Sequence, residues 1–452
     1  DLNHDHLLLS RYAQQLTRIV VFFYGVYMVW NMKLSLLAVT VFLSAGLTAC
    51  GGGSGGSDSA SPGDLEIEVR TPEVGAIDLG ESLFHDTNLS LDRTQSCATC
   101  HDPDHAFTDP STNGSGNVRS ASLGDDGVSL GDRNTPTALY SASIPEFSFG
   151  THRRFNSPQA DYVGYIGGQF WDGRATTLED QASGPPLNPV EMNMPDKATV
   201  VARLRENTRY EEAFTELYGT SIFDDVDAAY SAMTQAIAAF ERSPRMSPFN
   251  SKYDKFIRGE YQYSPVSKAA LGKARFFSQQ FTNCATCHQL RPNGNSGETF
   301  SNYEFHNIGV PVNTGLRTAN GSDEGFTDTG LAAIDAVSDE PDTSELEGKF
   351  RVPTLRNVGV TAPYMHNGVF QSLDTVIRFY DRHLTNSTNG INPETGIDWA
   401  APEVGENISF TELRQGTALG ENDIEGLVCF LYSLTDEEYE HLLPEDADEC
   451  GL

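Results

Sequence analysis

The chain has 452 residues and a formal charge of −33, from 63 Asp plus Glu against 30 Lys plus Arg. That acidity argues against nucleic acid or an anionic membrane surface as a partner, and it is compatible with a basic partner protein or simply with a soluble surface. A hydrophobic content of 38%, with 10% aromatic residues, is enough for packed cores, and the length suggests two or three domains.

Residues 1–31 contain an apolar stretch, Ile19 to Trp30. They read either as an extension ahead of the true start or as a transmembrane anchor. Met32-Lys33 then opens a basic start, an apolar run covers Leu34 to Leu47, and Leu47-Thr48-Ala49-Cys50 follows. Residues 32–50 resemble a bacterial lipoprotein signal, with Cys50 lipidated after cleavage. Residues 51–64 form a Gly/Ser-rich tether without core-forming side chains. The folded part is therefore expected in the periplasm, lipid-anchored to a bacterial membrane.

Leu79-Gly80-Glu81-Ser82-Leu83-Phe84 precedes Cys97-Ala98-Thr99-Cys100-His101. Cys-x-x-Cys-His is the attachment pattern of c-type haem: the thiols form thioethers and His101 supplies a nitrogen to iron. A second copy, Cys284-Ala285-Thr286-Cys287-His288, follows Leu271-Gly272-Lys273-Ala274-Arg275-Phe276-Phe277. Zinc or disulfides are the alternative use of such cysteines, but zinc pairs lie about 15–20 residues apart. Here nearly two hundred residues intervene, so two covalently bound haems are expected. The repeated Leu-Gly-x-x-x-Phe reads as an internal duplication of one cytochrome c unit, each motif entered by a helix.

Between and after the motifs, helical spacing covers 198–218 and 226–242. Residues 109–136 and 309–348 are rich in Gly, Ser, Asn and Asp and are expected to be loops wrapped over the haems. Pro244, Pro248 and Pro265 place a boundary near 243–263, giving an N-terminal haem domain over 65–250 and a C-terminal one over 251–452. Ile424, Leu427, Val428, Leu431 and Leu434 keep i, i+3, i+4, i+7 spacing, which predicts a closing helix. Cys429 and Cys450 remain for a disulfide at the C-terminal tail in an oxidising compartment. The expected fold class is mostly α: two cytochrome c-like haem domains with long loops and little β structure.

Further segments narrow the class. They are Phe170-Trp171-Asp172-Gly173-Arg174-Ala175, Leu178-Glu179-Asp180-Gln181, Asn188-Pro189-Val190-Glu191-Met192, Val352-Pro353-Thr354-Leu355-Arg356-Asn357-Val358 and Thr361-Ala362-Pro363-Tyr364-Met365-His366-Asn367-Gly368. With the two haem motifs, they closely resemble the bacterial di-haem cytochrome c peroxidase and MauG superfamily over roughly residues 72–440. The resemblance implies that the haem on Cys97, Cys100 and His101 is peroxidatic and that the haem on Cys284, Cys287 and His288 transfers electrons. It implies that Trp171 lies between the haems, that Gln181 and Glu191 form the distal pair beside the peroxidatic iron, and that Asn134, Thr361 and Pro363 hold one calcium ion. The chemistry suits these roles. A carboxylate in a partly apolar pocket can move a proton between peroxide oxygens, and an amide can hold the peroxide without changing charge. Calcium prefers oxygen donors of this kind.

Two departures decide the subclass. Conventional peroxidases of the family cap the peroxidatic iron with a loop His shortly before the Arg-Asn-x-Pro segment, here Arg133-Asn134-Thr135-Pro136. Residues 108–132 contain no His, and His105 is too close to the haem motif to swing over iron. The resemblance thus implies an open haem that needs no reductive activation. Those enzymes also place a Met seventeen residues after the Pro of Ala-Pro-Tyr. Counting from Pro363 lands on Tyr380, on one helical stripe with Leu373, Val376 and Ile377. Met365 is the competing ligand. His/Tyr ligation is the pattern of MauG and MbnH, and an anionic phenolate stabilises higher oxidation states of iron.

The expected function is a di-haem peroxidase that uses hydrogen peroxide to build a high-valent di-haem state and then oxidises a partner protein. One alternative is a cytochrome c peroxidase fed by a small electron-donor cytochrome; the other is a di-haem electron carrier without peroxide chemistry.

Overall fold

Most of the regular secondary structure is helical, and several of the helices start at a side-chain cap. The computed structural model describes residues 72–155 and 157–452. The expected extension over 1–31, the signal with Cys50 and the tether lie outside the described residues. In the N-terminal half the helices are α1 (Pro72–Phe84), α2 (Cys97–Cys100), α3 (Leu178–Ala182), α4 (Lys197–Leu204), α5 (Thr208–Tyr218) and α6 (Val226–Glu241). The C-terminal half adds α7 (Lys252–Ile257), α8 (Lys268–Phe276), α9 (Cys284–Cys287), α10 (Thr314–Ala319), α11 (Leu373–Asp381), α12 (Phe410–Leu413) and α13 (Glu421–Tyr432).

Strands are few and short. β1 (Ser148–His152) pairs antiparallel with β2 (Tyr162–Ile166), β3 (Phe305–His306) with β4 (Phe350–Arg351), and β5 (Ile391–Asn392) with β6 (Ile397–Asp398). The chain is therefore mostly helical with three small two-stranded sheets. No helix among the described residues is long and apolar enough to cross a membrane.

The duplicated Leu-Gly-x-x-x-Phe has one structural meaning in both halves. Helix α1 packs on α6, and α8 packs on α13. A side chain on Gly80 would collide with the carbonyl of Ala236, and one on Gly272 with the carbonyl of Gly426. Each glycine thus lets two helix backbones approach closely. Leu79, Phe84 and Phe276 are buried beside these crossings.

Two main hydrophobic clusters result. One draws on residues from Leu79 to Met246 plus Tyr439; the other runs from Tyr253 to Cys450. A buried polar network joins them. Tyr140 Oη and Asn357 Nδ2 donate to the carboxylate of Asp436 at 2.7 and 2.8 Å. The neighbouring Arg356 is 1% exposed, pairs with Asp254 and sends Nε to the Glu298 carbonyl at 2.8 Å. Its guanidinium also faces the rings of Tyr140 and Phe300, one from each cluster.

The expected helix over 198–218 is broken into α4 and α5. Asn207 causes the break, because its side chain accepts from Arg209 N at 3.1 Å and caps a new helix. Residues 109–136 hold no helix or strand, as expected of a loop. Residues 309–348 are less irregular than expected and include α10, capped by Asn313, whose Oδ1 accepts from Leu316 N at 3.0 Å. The closing helix is α13, and Cys429 on it is disulfide-bonded to Cys450.

Candidate active site

Each haem motif is a single helical turn whose histidine is oriented by a backbone carbonyl. Cys97 and Cys100 stand at the two ends of α2, and His101 N closes the turn on Cys97 O at 2.8 Å. His101 Nδ1 donates to Phe107 O at 3.1 Å. In the second motif, His288 N closes on Cys284 O at 2.9 Å and His288 Nδ1 donates to Phe300 O at 2.9 Å. Tying Nδ1 to a carbonyl leaves Nε2 as the free lone pair for a metal.

The two acceptors share an unusual backbone. Phe107 has φ +53° and Phe300 φ +54°, and both are buried. A bulky residue pays strain in this left-handed region and stays there only when its surroundings require it. In both halves the strained turn presents a carbonyl to the motif histidine.

The four motif thiols form no disulfide. Burial pushes the Cys97 and Cys100 thiols up to about 12 and Cys284 up to about 11, and it lowers His288 to about 4. Paired free thiols one turn apart, beside an imidazole with a free Nε2, fit covalently attached haem at both motifs.

A cavity of about 260 Å³ adjoins the second motif. Cys284, Cys287 and His288 line it together with Tyr380, Met365 and Trp171. Leu373, Val376, Ile377 and Tyr380, the expected stripe of α11, all face it. Tyr380 Oη has no hydrogen-bond partner among the described residues, and burial raises its phenol above the usual range. Met365, held at φ +72°, reaches the same cavity, so the turn that carries it does not remove it from the site.

Trp171 joins this cavity to the loop after the first motif. Its Nε1 donates to Asn134 O at 2.8 Å. Asn134 N in turn donates to His366 O at 2.7 Å. Asn134, Thr361 and Pro363 all line the cavity. Beside them Arg133 forms a fork on Asp328 at 2.7 and 2.8 Å and reaches Asp172 at 2.6 Å.

Gln181 sits on α3, whose start is capped reciprocally by Thr177 and Asp180. Its side chain makes no hydrogen bond to a described residue. Glu191 follows in a turn, its N–H on Asn188 O at 3.1 Å and its carbonyl accepting from Asp125 N at 2.8 Å. Burial raises the Glu191 carboxyl, while Arg174 and Asn188 pull it down. Its charge is felt at Cys97 and Cys100, which puts it on the side of the first motif. His105 is engaged elsewhere: its Nδ1 lies 3.0 Å from Asp102, and the side chain is 41% exposed.

Two groups escaped the sequence reading. Glu241 near the first motif is buried, its Oε2 has no partner among the described residues, and burial pushes it up to about 8. Arg351 is a buried residue lining the cavity beside the second motif. It stands directly before Val352-Pro353-Thr354, so a charged residue at the head of that segment was the available signal.

A sequence profile of the di-haem cytochrome c peroxidase family matches residues 75–262. The methylamine utilization protein MauG of Paracoccus denitrificans is 47% identical over 380 residues, covering 84% of this chain and 93% of that protein. Cytochrome c peroxidase Ccp of Escherichia coli is 28% identical over 356 residues, covering 79% and 57%. The crystal structure of the diheme peroxidase BthA from Burkholderia thailandensis superposes with a TM-score of 0.70 at 28% identity, covering 87% of this chain and 93% of that one.

Proposed function

The chain belongs to the di-haem cytochrome c peroxidase and MauG family, and we propose that it spends the oxidising power of hydrogen peroxide on a partner protein rather than on a small cytochrome. That it is a di-haem peroxidase with two c-type haems follows from the family. The choice of electron source is our reading. Its main support is Tyr380, a phenol without a hydrogen-bond partner in the cavity of His288. The 47% identity to a MauG protein agrees with it.

The bound haems supply the iron redox chemistry with peroxide. The residues of the chain do the rest. His101 and His288, oriented by the carbonyls of Phe107 and Phe300, would hold the two haem irons through Nε2. Glu191 would carry a proton between the peroxide oxygens, a role for which a carboxyl raised by burial is suited. Gln181 offers an uncommitted amide to the same substrate. Trp171 conducts charge between the two halves. Asn134, Thr361 and Pro363 offer oxygen donors to a calcium ion, which would brace the loop that carries the Trp171 acceptor. Tyr380, which lines the cavity of His288, would supply its phenol oxygen to the iron of the C-terminal haem. The two haem domains divide near residue 250. Export to the periplasm and a lipid anchor through Cys50 complete the reading.

A cytochrome-fed peroxidase is the second reading, favoured by Met365 in the same cavity. Steady-state assays separate the two. We expect slow peroxide-dependent oxidation of reduced small cytochromes, and peroxide-dependent mass changes on a secreted partner protein encoded beside this chain. Rapid cytochrome turnover with no modified partner would overturn the proposal.

A further inference from the structure

Arg351 ends β4, where it is the register partner of Phe305 on β3. Its backbone N–H donates to the Trp171 carbonyl at 2.8 Å. The residue is 7% exposed and lines the same cavity as His288 and Tyr380. Of the three buried arginines among the described residues, Arg317 pairs with Asp132 and Glu403, and Arg356 pairs with Asp254. Arg351 pairs with no carboxylate. One terminal nitrogen donates to Phe170 O at 3.1 Å and the other to Val352 O at 3.4 Å, while Nε has no partner. Asp172, the acidic group whose field it feels, is committed to Arg133 and Arg174 at 2.6 and 3.0 Å. Burial accordingly lowers Arg351 to about 10.

A buried cation without a counter-charge is a costly arrangement, and proteins keep one where a ligand supplies the anion. The ligand expected in this cavity carries two propionates. We propose that Arg351 is the counter-ion of a propionate on the C-terminal haem, a positioning residue that fixes that haem against the Trp171 backbone and raises its reduction potential. The proposal rests on the second haem occupying the cavity of His288. It does not depend on which substrate is oxidised.

The test is a spectroelectrochemical titration of both haems in holoprotein carrying R351Q, R351M or R351K. Removing one positive charge from the protein interior should lower the reduction equilibrium constant of the C-terminal haem by about tenfold, about 59 mV for a one-electron couple. The N-terminal haem should shift less, and R351K should restore most of the loss. Incomplete covalent attachment of the C-terminal haem in both neutral variants but not in R351K supports the pairing equally. An unshifted C-terminal potential in either neutral variant, or equally incomplete haem attachment in R351K, overturns it. The peroxide reaction is not part of the readout, so failure here is distinct from failure of the functional proposal.

Discussion

Trp171 Nε1 donates to the backbone carbonyl of Asn134 at 2.8 Å. The indole expected to carry charge between the haems therefore hangs from the residue whose side chain is the proposed calcium ligand. The same Asn134 is held from behind by the His366 carbonyl at 2.7 Å. The proposed charge route and the proposed ion site would share this one short piece of backbone.

Replacing Trp171 by Phe removes this hydrogen bond and the indole while keeping a ring of similar bulk. The variant should keep both haems and lose about 1 kcal/mol of stability. Charge equilibration between the haems after peroxide, followed by stopped-flow absorption, should slow at least about tenfold. An unchanged rate would place the route elsewhere.

Chelation should act through the same contact. Stripping calcium with EGTA should lower the thermal midpoint, by the equivalent of about 2.7 kcal/mol if the ion is held at 100 times its Kd. It should also perturb Trp171 fluorescence, and added calcium should reverse both effects. A protein indifferent to EGTA, with no calcium by elemental analysis, would remove the ion from the account.

Glu191→Gln keeps the shape and removes the titrating proton. Peroxide cleavage should slow by about 100- to 10,000-fold, with both haems still attached and their resting spectra unchanged. Wild-type rates in single-turnover mixing would end the proton-carrier role.

Glu241 predicts a pH dependence of stability. Burial raises its folded value to about 8 from an ordinary value of 4.5, with Glu179 adding to the rise and Arg242 opposing it. The folded state then binds the proton more tightly than the unfolded one. Its stabilisation is complete below pH 4.5 and is lost as pH rises through 8, by up to about 1.4 kcal/mol per unit. Denaturant midpoints at pH 5 and pH 8.5 should differ less in Glu241→Gln than in the parent. Equal pH slopes in the two proteins would contradict this.

Much of this organisation was legible in the sequence because the chemistry itself fixes the spacing. Thioether attachment requires Cys97, Cys100 and His101 on one turn, and the same holds at Cys284. The glycines of the repeated Leu-Gly-x-x-x-Phe were legible as a repeat, but their purpose at the helix crossings was not, since Ala236 and Gly426 lie far away in the chain. The strained carbonyls of Phe107 and Phe300 carry no local signal, because nothing in a phenylalanine announces a positive φ. The pairing of Cys429 with Cys450 was left open because two leftover cysteines do not fix a tertiary distance. Arg351 was missed for a different reason: its counter-charge comes from outside the polypeptide. The strands β1 and β2 were missed because Ser148–His152 is polar and mostly exposed, without a hydrophobic alternation.

The absorption spectrum of the fully oxidised protein, extended into the near infrared and recorded immediately after one equivalent of hydrogen peroxide, separates partner oxidation from cytochrome-fed turnover. With no His in residues 108–132 and Tyr380 as the proposed ligand in the cavity of His288, a near-infrared band should form rapidly without any reductant, and Tyr380→Phe should abolish it. A protein that reacts with peroxide only after one haem has been reduced would contradict the account and identify a cytochrome-fed peroxidase.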